Sequence, residues 1–68
     1  MQLSARNQLA GRIAVVKLGA VMASVTVELR GGQRIVAVIT REAAEELQLK
    51  EGDQVTAIIK STEVLIGK

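Results

Sequence analysis

Two short polar segments carry the residues best suited to chemistry in this 68-residue chain. Ser4-Ala5-Arg6-Asn7 precedes a long apolar stretch, and Lys60-Ser61-Thr62 follows another. Each segment combines a cation with a hydroxyl and contains no carboxylate, although Glu63 follows the second. Arginine offers a planar fork of donors, lysine a compact charge and serine a short hydroxyl, and backbone N–H groups can complete the shell. Such a donor-rich set is suited to a small oxyanion with more than one negative charge.

The same residues also have ordinary structural interpretations. Arg6 can be a solvated surface charge, and Lys60 can lay its stem along apolar surface at a strand end. Asn7 can bond the nearby backbone, and Thr40 can cap a helix. Gly19 is first a turn residue, and only second a place where backbone N–H groups could contact an anion. Residue types and spacing alone leave both interpretations open.

Composition excludes many other kinds of site. Histidine, cysteine and tyrosine are absent, so the common general bases and thiol nucleophiles are missing. Zinc, iron–sulfur and haem centres lack their usual ligands for the same reason. Carboxylates are present, but no acid/base pair stands out. We therefore expect no enzyme, no bare metal cation and no organic cofactor.

Charge and hydropathy indicate the expected partners and the cellular location. Nine basic residues against seven acidic ones leave a net charge of +2, too weak a field to predict a nucleic-acid partner. No segment approaches the roughly 20 apolar residues of a membrane span, and the N-terminal segment has no apolar signal core. A cytoplasmic protein without a membrane partner is the default expectation.

The rest of the chain predicts the elements that must position the polar segments. Residues 8–17 are rich in β-branched side chains, and residues 21–30 alternate between an apolar set and a mostly polar set, which predicts two strands. Gly31-Gly32 predicts a hairpin turn into a third strand at 34–39. That third strand is apolar on both faces, so we expect the domain or a partner subunit to cover both.

A single helix is predicted after the third strand. Thr40 is suited to its N-cap, and residues 41–49 place Ala43, Ala44 and Leu47 on one face. Gly52 ends this unit, a fourth strand follows at 54–60, and residues 64–66 could pair as a further strand. The prediction is a mainly β protein, an OB-like small β-barrel with one short helix between strands three and four.

Size adds an expectation about assembly. A domain this small buries only about 60% of the surface that its unfolded chain exposes, and disulfides, metals or oligomerisation usually compensate. Here 49% of the residues are hydrophobic, while cysteine, histidine and aromatic residues are absent. A homo-oligomer is therefore predicted.

The opening residues Ser4-Ala5-Arg6-Asn7, with Gly11 four positions on, closely resemble the start of the molybdate-binding Mop domain, whose members often read SARNxxxG. The resemblance continues through residues 25–29, 35–40 and 46–52 to the closing segment AIIKST at 57–62. It covers essentially the whole chain as a single Mop domain, residues 1–68. The chain is similar in length to the stand-alone members, the molbindins.

The resemblance implies a function and a site. Molbindins are cytoplasmic hexamers, trimers of dimers, that bind molybdate or tungstate between subunits for storage, buffering or homeostasis. By position, the resemblance implies a main oxyanion site formed by Ser4, the Ala5 backbone, Arg6, Lys60 and Ser61, with Thr40 as a further candidate. It implies a second type of site lined by Gly19, Ala20 and Val21.

One alternative is a DNA-binding transcriptional regulator module of the AbrB-like kind. Its signature is similar to residues 38–41 followed by residues 46–53. This alternative leaves the first thirty residues unexplained and requires a more basic surface. A salt-dependent association with DNA would support it.

Overall fold

The computed structural model describes residues 1–68 and contains one antiparallel sheet of four strands. The strands are β1 (Asn7–Leu18), β2 (Met22–Leu29), β3 (Arg34–Thr40) and β4 (Gln54–Ile59). Helix α1 (Arg41–Glu46) lies between β3 and β4, and a 3₁₀ turn (Ser61–Glu63) follows β4. The prediction of a mainly β protein with one short helix between strands three and four is confirmed. No helix here is long enough to cross a lipid bilayer.

The strand order is β3-β2-β1-β4, with the long strand β1 pairing on both sides. Its first half pairs with β4 and its second half with β2, and the register shifts between Ile13 and Val15. A bulge of this kind bends a strand and increases its twist. The two edge strands, β3 and β4, line the same apolar groove of about 580 Å³. The sheet is therefore a curled half-barrel, open between β3 and β4, rather than a barrel closed within one chain.

The core lies on the concave side of β1 and β2. Ile13, Val25 and Val27 form one buried cluster, and Ala23 and Ala44 are the other buried residues. The alternation in residues 21–30 correctly predicts which side chains of β2 point inward, because side chains of a strand alternate between its faces. Only five of 68 residues are buried, so the core of one chain is small.

Glycines serve two different purposes in this sheet. Gly31 and Gly32 have φ angles of +93° and +92°, which confirms the predicted hairpin turn. Gly11 lies where β1 and β2 approach closely: a Cβ atom built on it would be 2.6 Å from Val27 Cγ1 and 2.7 Å from the Glu28 carbonyl oxygen. Gly11 is therefore needed for close approach rather than for a turn.

The helix ends earlier than predicted, at Glu46 rather than at residue 49. The Gln48 N–H donates to the Glu45 carbonyl and the Leu49 N–H to the Ala44 carbonyl, with Gln48 at φ 52°. This pattern is a Schellman motif, which stops a helix with one left-handed residue. The turn directs Leu49 to the core and leaves Leu47 exposed, so Leu47, which lies just beyond the helix, does not extend the face that buries Ala44.

The last residues also differ from the prediction. Strand β4 ends at Ile59, and no further strand forms over residues 64–66. Leu65 and Ile66 are 91% and 89% exposed. A strand needs a neighbour for its backbone groups, and these residues pair with none in the chain itself.

Candidate oxyanion site

The ladder between β1 and β4 brings the two polar segments together. Its last pair is Asn7 with Ile59. Arg6 immediately precedes β1 and Lys60 immediately follows β4, so both cations extend from the same end of the same ladder. The terminal pair of such a ladder has Cα atoms about 4.5–5.5 Å apart, and Arg6 and Lys60 are each one residue beyond it. The register of one chain therefore places both residues at this end of the sheet.

The 3₁₀ turn positions Ser61 beside Lys60. The Glu63 N–H donates to the Lys60 carbonyl over 2.9 Å, which closes the turn. The N–H groups of Ser61 and Thr62 donate to no group of the chain, as is usual at the start of a helical turn. The Lys60 carbonyl oxygen is thus occupied, while hydroxyl and N–H donors next to it remain available.

The segment before β1 is held by a side chain that the sequence analysis did not single out. The Gln8 amide Nε2 donates to the Ala5 carbonyl oxygen over 2.7 Å. Ser4 and Arg6 lie at bends on either side of Ala5, which is half-buried. The sequence gives little indication of this hydrogen bond. A polar residue early in an exposed strand is common, and the Ala5 carbonyl comes within reach of Gln8 only because the chain bends at Ser4 and Arg6.

The cations of this site have no carboxylate partners. Arg12, Arg34 and Arg41 each form a salt bridge, but Arg6 and Lys60 form none. Both side chains are exposed, as are Ser4 and Ser61. The positive charge is therefore available to an anionic ligand, but one chain covers only part of such a ligand.

Thr40 belongs to another part of the sheet. It pairs with Met22, and its Oγ1 accepts a hydrogen bond from the Ala43 N–H over 3.0 Å, so its role as helix cap is confirmed. No strand pairing and no hydrogen bond joins Thr40 to Arg6 or Lys60.

The proposed second-site residues lie in the β1–β2 turn, beside Thr40. The Gly19 N–H donates to the Met22 carbonyl, and the Gly19 carbonyl accepts from Arg41 Nη1 over 3.2 Å. The Val21 carbonyl accepts from the Arg41 N–H. The Gly19 N–H is therefore not available to an anion. The N–H groups of Ala20 and Val21 donate to no group of the chain and are the free backbone donors of this exposed turn.

Comparison with known proteins gives the family. Residues 3–66 match the TOBE domain. The chain belongs to the TOBE domain family. The match includes both polar segments and all four strands, so the candidate site lies wholly within the TOBE domain.

Relatives of this TOBE domain are named for the binding of molybdenum compounds. The chain is 47% identical over 66 residues to molybdenum-pterin-binding protein 3 of Clostridium pasteurianum, covering 97% of each chain. Its structure matches a molybdate-binding protein from Sporomusa ovata with a TM-score of 0.93, at 37% identity and 100% coverage of both chains. It also matches ModG, a cytoplasmic molybdate-binding protein with molybdate bound, with a TM-score of 0.85 at 46% identity over 90% of this chain and 43% of ModG. All three relatives are named as binding proteins, and the two solved structures share the fold of this chain.

Proposed function

We propose that this TOBE domain binds molybdate or tungstate, with Ser4, the Ala5 backbone, Arg6, Lys60 and Ser61 as the main binding residues. The observation that supports this most directly is the end of the β1–β4 ladder, where Arg6 and Lys60 emerge together without carboxylate partners. The names of the relatives support the choice of oxyanion.

The donor set matches the chemistry of these anions. Molybdate and tungstate are tetrahedral dianions that carry no proton at neutral pH, so a site made of donors satisfies all their oxygens. Arg6 can bond two oxygens with its planar fork, and Lys60 supplies a compact charge. Hydrogen phosphate carries a proton that needs an acceptor, and a site without one disfavours it. Sulfate has the same charge but is smaller, so the size of the site must exclude it.

A homo-oligomer would complete the site and cover the apolar surface of one chain. Val36 and Val38 on β3 are 65% and 64% exposed, the β3–β4 groove is lined mostly by apolar side chains, and residues 64–66 are uncovered. We propose a hexamer, a trimer of dimers, with the oxyanion held between subunits. Thr40 would then reach the main site from a neighbouring subunit, because its own chain bonds it elsewhere.

A second site and a cellular role complete the proposed function. Residues 1–68 act as one such domain, and Gly19, Ala20 and Val21 form a second type of oxyanion site near the threefold axes. The protein is a binding protein and not an enzyme, and it stores, buffers or maintains molybdenum in the cytoplasm. The cytoplasmic setting is supported by ModG.

Titration calorimetry with molybdate, tungstate, sulfate and phosphate in turn tests this proposal. We expect saturable binding of molybdate and tungstate with similar affinity, and weaker or no binding of sulfate and phosphate. A sequence-specific complex with duplex DNA and no oxyanion binding would instead favour the AbrB-like alternative. Residues 38–53, which resemble that alternative, lie within the TOBE match.

A further inference from the structure

Gln8 makes the one side-chain hydrogen bond found in residues 1–11. Its backbone is fixed opposite Ile58 in the β1–β4 ladder, and its amide reaches back three residues to the Ala5 carbonyl oxygen. Residues 1–6 donate no backbone hydrogen bond within the chain. The Gln8 amide is therefore the hydrogen bond that ties the segment containing Ser4, Ala5 and Arg6 to the sheet.

The hydrogen bond from Gln8 fixes the direction of an acceptor, the Ala5 carbonyl, and of a donor, the Arg6 N–H. The Ala5 carbonyl and the Arg6 N–H belong to one planar trans peptide, so they point in opposite directions. When Gln8 holds the carbonyl oxygen, the Arg6 N–H is directed away from Gln8. The carbonyl, whose partial negative charge would repel an anion, is at the same time occupied.

We propose that Gln8 is a positioning residue for the oxyanion site, an inference that rests on the proposed function. Gln8 acts through the Ala5–Arg6 peptide and does not itself contact the anion. Gln8 fixes this peptide before the ligand arrives, so less conformational entropy is lost when the anion binds. Preorganisation of this kind raises affinity.

The substitution Gln8→Met tests the inference, because methionine keeps the length of the side chain and removes the amide. The matched control is Gln54→Met: Gln54 lies at the other end of the same ladder, is exposed and makes no side-chain hydrogen bond. We expect Gln8→Met to weaken molybdate binding roughly two- to tenfold, the range of one neutral hydrogen bond, and Gln54→Met to leave it unchanged. Both variants should keep the oligomer and the thermal unfolding midpoint of the unmodified protein.

Two further readouts separate positioning from general stability. In a double-mutant cycle with Arg6→Ala, the effects of the two substitutions should be less than additive, because the peptide that Gln8 fixes also sets the backbone position from which the Arg6 side chain extends. The Arg6 amide resonance should also shift in Gln8→Met without ligand. If the unmodified protein binds no molybdate, the proposed function fails. If it binds molybdate and Gln8→Met binds equally well, or Gln54→Met loses as much affinity, the positioning role is overturned.

Discussion

Asn7 and Ile59 form the terminal pair of the β1–β4 ladder, and the residues that follow this pair outward are Arg6 and Lys60. Two cations from opposite ends of the sequence are thus brought to the same end of one sheet by ordinary strand pairing. Neither has a carboxylate partner, so both charges are available to attract an anion that reaches this end of the ladder. Strand register is consequently as important to this site as the identity of its residues.

The first prediction concerns these two cations. Arg6→Ala and Lys60→Ala should each weaken molybdate binding by at least tenfold and leave the oligomer intact. The reason is that a charge-assisted hydrogen bond contributes about 1.5–3 kcal/mol, which corresponds to roughly tenfold to a hundredfold in affinity. Calorimetry measures the affinity and sedimentation the assembly.

The best control for these variants is Arg30→Ala. Arg30 is exposed in the β2–β3 turn and forms no salt bridge, whereas Arg12 and Arg34 both bond Glu28 across neighbouring strands. Removing Arg12 or Arg34 would change that ion-pair network as well as the net charge. Equal losses for Arg30→Ala and Arg6→Ala would mean diffuse electrostatic attraction and would refute the assigned site.

The second prediction concerns the hydroxyls. Ser4→Ala and Ser61→Ala should each weaken molybdate binding less than Arg6→Ala does, by roughly two- to tenfold, because a neutral donor contributes about 0.5–1.5 kcal/mol. Calorimetry under the same conditions makes the comparison. Losses larger than that for Arg6→Ala would show that the anion is held mainly by the serines.

The third prediction concerns Gly11 and the stability of the sheet. Gly11→Ala should destabilise the protein by about 1–3 kcal/mol, because the new methyl group would meet the Glu28 carbonyl, a backbone atom that cannot easily move. Urea unfolding at fixed protein concentration measures the change. Gly67→Ala is the control, since a Cβ there meets no atom within 4 Å. Equal stability of the two variants would contradict the close approach of β1 and β2.

The fourth prediction concerns assembly. The protein should sediment as an oligomer at micromolar concentration. Val38→Asp should lower the mass of the sedimenting particle, because the substitution places a charge on apolar surface that a second copy would bury. Gln33→Asp, in the exposed β2–β3 turn, should leave the mass unchanged. A folded monomer of the unmodified protein would contradict the oligomer.

Several features of the fold follow from local sequence pattern. The alternation in residues 21–30 predicts the inward positions of Ala23, Val25 and Val27, and Gly31-Gly32 predicts the hairpin. The helix end could not be predicted in the same way, because Gln48 takes a left-handed conformation that sequence normally signals with glycine. The apolar residues 64–66 suggest a possible further strand, and none forms, since apolar residues alone do not supply a pairing partner.

The candidate site, too, could be predicted from the sequence only in part. The polar segments could be recognised from residue types, but their proximity depends on the β1–β4 register, which no local pattern contains. Gln8 was missed because its hydrogen bond depends on the bends at Ser4 and Arg6. Thr40 was correctly predicted as a cap, and its place in the anion site depends on a neighbouring chain.

The most direct test of the assigned site is to locate tungsten by anomalous diffraction in crystals grown with tungstate. We predict a peak at the end of the β1–β4 ladder, with tungstate oxygens about 2.7–3.2 Å from nitrogen donors of Arg6 and Lys60. A fully occupied tungsten position elsewhere, for example beside Arg12 and Arg34, with none at this ladder end, would contradict the proposal.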